Sequence, residues 1–259
     1  MATFLFDDII FGPVKSRRFG VSLGINLLPS GYKYCTFNCI YCECGWTYKN
    51  HSGNKQLPAR KEIHSQLELR LQDMAAEELI PDNITFAGNG EPTIHPEFAG
   101  IIEDTVQLRD RYFPKTGIAV LSNATMLHKK QVFDALLKVE NNVLKLDTAI
   151  HDTFMKLNQP YAGLSLEKII SNIKKFKGSQ VIQTLFIRGQ YNGNFIDNTT
   201  DAEINAWLDA IRDISPRYVM IYPIARDTPA AALEKIPKHT LDEIAIRVRQ
   251  AGIEVISYD

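Results

Sequence analysis

The sequence has no run approaching the roughly 20 apolar residues that cross a bilayer as a helix. Its opening residues, MATFLFDDIIFGP, carry acids where a secretory signal peptide carries bases, so the expected location is the cytoplasm and no membrane partner is expected. Charge of one sign is missing too: 29 Lys and Arg stand against 30 Asp and Glu, a net charge of −1. That balance removes the general positive field by which many proteins gather nucleic acid and leaves only a local patch as a route to it. No internal repeat and no low-complexity tract interrupts the 259 residues. Cysteine is scarce, with four in all, and every one falls between positions 35 and 44. Disulfides that staple small secreted folds join distant segments, so thiols crowded in this way point to metal or redox chemistry instead.

What is present is an ordinary globular composition, 45% hydrophobic, enough to bury a core. Short runs rich in Val, Ile, Leu and Phe read as strands over Asn83–Ala87, Gly117–Leu121, Asn142–Asp147, Val181–Ile187, Tyr218–Tyr222 and Ile253–Ser257, with one more inside Val21–Leu27. Helical stretches lie between them. Ile63, Leu67, Leu71 and Met74 recur at steps of four, four and three, one face of a helix. Further helices are expected over Glu97–Tyr112, Lys129–Val139, Leu166–Phe176, Asp201–Ile214 and Leu241–Ala251, with Gly178 and Gly252 placed to end two of them. Strand and helix in regular alternation predict a parallel sheet with right-handed crossovers. A closed eight-fold barrel needs about 250 residues, and the N-terminal loops leave too few, so an α/β partial barrel of six units is expected. An open doubly wound sheet is the alternative, weakened by the lack of a G-x-G-x-x-G turn after a first strand. The chain, 1–259, reads as one domain, with 1–34 an extension and first strand and 35–60 a loop region around the cysteines.

The cysteine loop reads Cys35-Thr-Phe-Asn-Cys39-Ile-Tyr-Cys42-Glu-Cys44. Thiolates are soft ligands for iron–sulfur clusters or zinc. Three on one loop can hold three corners of a cubane and leave the fourth iron open to a ligand. A structural zinc site with Cys44 as fourth ligand is the competing reading, but zinc usually draws on a second pair of Cys or His, and none follows at the required spacing. Cys44, offset by two from Cys42, is read as a bystander pointing elsewhere, Lys33 as a solvated lysine and Trp46 as loop packing.

With its aromatic before the last cysteine, this C-x3-C-x2-C loop resembles the cluster loop of the radical S-adenosylmethionine (SAM) superfamily. Ala87-Gly88-Asn89-Gly90-Glu91-Pro92-Thr93, directly after an expected strand, resembles that family's glycine-rich glutamate motif, with Asn89 in place of one glycine. Looser matches end the next strands at Ser122-Asn123, Lys145-Leu146-Asp147, Gln183 and Tyr218–Pro223. Polar residues at the C-terminal ends of five successive strands gather where barrel loops converge. By alternation Val143, Lys145 and Asp147 share one face, which lines either a wet cavity or a shielded ion pair. The opening Gly12-Pro-Val-Lys-Ser-Arg17-Arg18 is similar to a subgroup related to wybutosine-synthesis enzymes. Its arginines either bind a phosphate or carboxylate or pair with acids on the barrel wall.

The resemblance implies an enzyme of oxidoreductase-like chemistry whose metal ligands are Cys35, Cys39 and Cys42, holding a 4Fe–4S cluster. S-adenosyl-L-methionine is then held by Asn89, Gly90 and Glu91 at its amino group. Ser122, Asn123, Asp147 and Gln183 fall to its ribose and carboxylate, and Tyr41 and Met220–Tyr222 to its adenine. One electron from a flavodoxin or ferredoxin-type reductant yields a 5′-deoxyadenosyl radical that takes hydrogen from a substrate. That substrate is either a small molecule or a nucleotide or tRNA. The reading of another class is a non-enzymatic iron–sulfur electron carrier or zinc protein.

Overall fold

The computed structural model describes residues 4–47 and 57–259. Residues 48–56 of the expected cysteine-loop region therefore lie outside the described residues. The chain runs β1 (Ile10–Ser16), β2 (Gly20–Ile25), α1 (Arg60–Ala76), β3 (Asn83–Phe86), α2 (Phe98–Tyr112), β4 (Gly117–Ser122), α3 (Lys130–Leu136) and β5 (Asn141–Lys145). It continues through α4 (His151–Leu157), α5 (Leu166–Lys174), β6 (Val181–Tyr191), β7 (Asn194–Asp197), α6 (Asp201–Ile214), β8 (Tyr218–Pro223), β9 (Ala232–Lys235), α7 (Lys238–Gln250) and β10 (Val255–Ser257).

The strand order is β1-β2-β3-β4-β5-β6-β8-β10, and every neighbouring pair from β2 to β10 is parallel. The path does not return on itself, so the sheet is the expected partial barrel: six strand–helix units and a last strand. β1, which the sequence reading missed, pairs antiparallel on the outer side of β2 with a register shift around Gly12-Pro13. Proline is tolerated there because an edge strand owes fewer ladder bonds. β7 and β9 were missed as well. They pair with the outer half of β6, which runs four residues past the expected end. Gly189 permits this, since its φ is +150° and a Cβ there would overlap the Ala232 carbonyl.

Alternation along the strands sorts the core into two parts. Outward residues such as Ile84, Ile118, Leu144, Ile182 and Ile221 pack with the helices in one large cluster, joined by Ile63, Leu67, Leu71 and Met74 of α1. The inner face carries a separate small cluster of Phe19, Ala119, Val143, Val181 and Met220. Two residues further along the same strands come Leu121, Lys145, Gln183 and Tyr222, which line a cavity. An apolar floor therefore closes the barrel's inside, and a mixed layer above it opens at the C-terminal ends of the strands.

Candidate functional site

The cavity above that floor encloses about 280 Å³. The cysteine loop forms its roof and is tied down on two sides. Toward β3, Tyr34 N–H donates to the Asn89 carbonyl (2.8 Å), and Glu91 N–H donates to the Tyr34 carbonyl (3.1 Å). This crossing requires glycine at position 90, where φ is +140° and a Cβ would overlap the Tyr34 carbonyl. Toward α4, Asn38 and Ile40 N–H groups donate to the carbonyls of Asn158 (3.0 Å) and Leu157 (3.1 Å). Between these anchors the loop turns inward, and Cys35, Cys39 and Cys42 all line the cavity.

Amide donors meet the sulfurs. Cys35 Sγ accepts from Phe37 N–H (3.4 Å) and Asn123 Nδ2 (3.5 Å), and Cys39 Sγ accepts from Asn158 Nδ2 (3.5 Å). Burial pushes the Cys35 thiol up to about 12 and raises Cys39 also. Cys42 is pulled well below the usual thiol range, first by its hydrogen bond with Cys44 and then by the Lys33 ammonium. Two expectations are corrected here. Cys44 lines the same cavity and its thiol donates to the Gly88 carbonyl (3.5 Å), because the Cys42–Gly45 turn folds its side chain back. Lys33 is only 2% exposed and donates to the Gly45 carbonyl (3.2 Å). Trp46 keeps its packing role, its ring 5.4 Å from that of Tyr191.

Glu91 sits at the wall between β3 and β4. Its carboxylate accepts from Thr93 N–H (3.1 Å), the Thr93 hydroxyl, the Ser122 hydroxyl (2.8 Å) and Asn123 N–H (2.6 Å). Burial raises its pKa against the opposing pull of these donors. Gly90, Glu91, Ser122 and Asn123 all line the cavity, as do Tyr41, Gln183 and Tyr222. The Gln183 side-chain oxygen accepts from Arg18 Nη1 (3.0 Å) and the Tyr222 hydroxyl (3.3 Å).

Three of the expected ligand-binding residues stand outside the cavity wall. Asn89 is fully buried, and its side chain is bonded to Phe6 N–H, the Phe6 carbonyl and the Pro29 carbonyl, each at 2.8 Å. Asp147 is saturated by the Tyr41 hydroxyl, Asn158 Nδ2 (2.7 Å), Leu185 N–H (3.0 Å) and Lys145 Nζ (3.4 Å). Met220 belongs to the apolar floor. The shared face of Val143, Lys145 and Asp147 thus joins floor, wall and ion pair: Lys145 lines the cavity while Asp147 neutralises it from behind. Burial alone would depress the lysine, but Asp147, Tyr222 and Cys39 together outweigh it and the Lys145 pKa is raised. Asn158, which links Asp147 to Cys39, carried no recognisable signal as a lone Asn behind a short helix.

Arg17 and Arg18 also line the cavity. Arg17 donates to the Asp259 backbone oxygen and Arg18 lies over the Tyr222 ring at 5.1 Å, and among the described residues neither pairs with a carboxylate side chain. Arg18 thus departs from the reading in which both arginines pair with acids on the barrel wall. Arg226, also at the cavity, does pair, with Glu43 at 2.9 Å.

The donor set fits a cluster. Cys35, Cys39 and Cys42 reach one cavity from one loop, and a cubane takes one thiolate on each of its irons. Residues 30–211 match the model of the radical SAM superfamily. The chain belongs to that superfamily. This radical SAM chain is 31% identical over 224 residues to a UPF0026 protein of Synechocystis, covering 85% of the chain and 77% of the relative. It is 30% identical over 183 residues to a UPF0026 protein of Methanocaldococcus jannaschii, covering 69% of the chain and 54% of the relative. The radical SAM chain thus spans about half the length of that archaeal protein. Among solved structures, a radical SAM methyltransferase from Sphaerobacter thermophilus superposes with a TM-score of 0.66 at 15% identity, covering 92% of this chain and 65% of that one. TYW1 with a lysine-pyruvate adduct bound gives 0.60 at 13% identity, covering 88% and 73%. At such identities the likeness is one of fold.

Proposed function

We propose that this chain reductively cleaves SAM at a 4Fe–4S cluster held by Cys35, Cys39 and Cys42, and uses the product to take a hydrogen atom from a substrate. The observation that carries this is convergence: three thiols from one loop face one cavity together with Glu91, Ser122, Asn123 and Gln183 from three strand ends. With cluster and SAM bound, one electron splits SAM into methionine and a 5′-deoxyadenosyl radical. The protein's part is to bind, orient and shield. Phe37, Asn123 and Asn158 hold two of the sulfurs by hydrogen bonds. Gly90 lets the backbone approach closely, and Glu91 orders Ser122 and Asn123 beside it as acceptors and donors for the polar end of SAM. Tyr222, Ile224 and Ala225 supply a wall beyond β8 suited to adenine.

The electron is taken to come from a flavodoxin or ferredoxin-type donor. Arg18, lining the cavity with no acid bound to it among the described residues, favours a substrate bearing a carboxylate or phosphate. The test is anaerobic. Protein reconstituted with iron and sulfide is reduced, SAM is added, and 5′-deoxyadenosine is sought by mass spectrometry. Reduction-dependent formation is expected, and Cys39→Ala should abolish both cluster absorbance and cleavage. Retained cleavage in that variant, or zinc bound in place of iron, would overturn the assignment.

A further inference from the structure

Two lysines line the cavity, and their surroundings differ. Lys145 faces Asp147 at 3.4 Å, so its charge is matched by the protein itself. Lys33 has no such partner. Its side chain is 2% exposed, its Nζ donates to the neutral Gly45 carbonyl at 3.2 Å, and no carboxylate pairs with it among the described residues. The groups whose charge it feels are Cys42, Cys35 and Cys39, the three candidate ligands. A buried ammonium without a counter-ion is costly and is retained where something else supplies the negative charge. The loop geometry enforces this placement. Tyr34, the next residue, is clamped to Asn89 and Glu91. The Cys42–Gly45 turn, closed by Gly45 N–H to the Cys42 carbonyl at 2.8 Å, presents the acceptor that aims Nζ under the thiols.

We propose that Lys33 is the built-in counter-charge of the thiolate-held cluster, a positioning residue that makes one-electron reduction of the cluster easier. This rests on the function proposed above. Reduction adds one electron from an external low-potential donor, and no bond to Lys33 forms or breaks. The assembly becomes one charge more negative beside a fixed positive charge, which stabilises the reduced form relative to the oxidised one.

The experiment compares the full chain with Lys33→Met and Lys33→Arg. Clusters are reconstituted anaerobically and titrated with dithionite and mediators, with the reduced state followed by electron paramagnetic resonance. Lys33→Met should move the midpoint potential to more negative values, while Lys33→Arg, which keeps the charge, stays near the parent protein. An unchanged potential in Lys33→Met overturns the proposal. If Lys33→Met takes up no cluster, uptake by Lys33→Arg sustains the proposal, and failure of both variants assigns Lys33 a steric role instead. A parent protein that takes up no cluster overturns the proposed function itself and this inference with it. A normal cluster with an unshifted potential removes only the role of Lys33.

Discussion

Asn89 sits inside a motif whose neighbours face the cavity, yet its own side chain bridges the N-terminal segment at Phe6 to the turn at Pro29. A carboxamide can donate twice and accept twice, which glycine at that place could not. Replacing it with Ala removes three buried bonds and leaves their partners unmatched. Asn89→Ala is expected to destabilise the cluster-free protein by about 2–4 kcal/mol, read from denaturant unfolding. A loss below about 0.5 kcal/mol would show that the bridge is dispensable. Glu91, two positions on, was legible only through the resemblance of its glycine-rich motif, and the structure surrounds it with donors from Thr93, Ser122 and Asn123. Lys33 was not legible, because a lysine between two tyrosines reads as surface until the loop's fold buries it.

The long elements were readable from period and punctuation. Helices α5 and α6 begin at Ser165 and Thr200, whose side chains accept from Lys168 and Glu203 N–H. Some of the short elements were not. Helix α4 has seven residues, too few for a 3.6-residue period to declare itself. Strands β7 and β9 have four each, and their side chains are mostly exposed, so neither alternation nor an apolar run marks them. Yet α4 brings Asn158 to Cys39 and Asp147. Helix α6 ends at Ser215 in the left-handed conformation, φ +51° and ψ +61°, where glycine is the usual residue. Ser215→Gly relieves that strain, partly offset by the freer unfolded chain. A gain of about 0.5 kcal/mol in unfolding free energy is expected, and a loss would mean that the αL cost there is already compensated.

At the scale of the molecule, the barrel works because its interior is closed below and open above. Phe19, from the turn between β1 and β2, completes the floor with Ala119, Val143, Val181 and Met220. Phe19→Ala opens a void under the site and should cost about 3 kcal/mol of stability in denaturant unfolding. A near-neutral result would show that the floor collapses to fill it. The sheet also stays open between its first and last strands, and Arg17 reaches across from the β1–β2 turn to the Asp259 backbone. By itself the sequence determined the alternation of strand and helix, the parallel partial barrel and the loop of three thiols. All of these follow from local periodicity and spacing, which a linear chain carries in full. Only the tertiary structure decided which polar residues at the strand ends face the cavity and which brace it. Asn89 differs from Glu91, both just past the end of β3, in the partners that distant segments bring to it. The same holds for Lys33: the burial of its charge among the thiols depends on contacts between segments that sequence spacing does not encode.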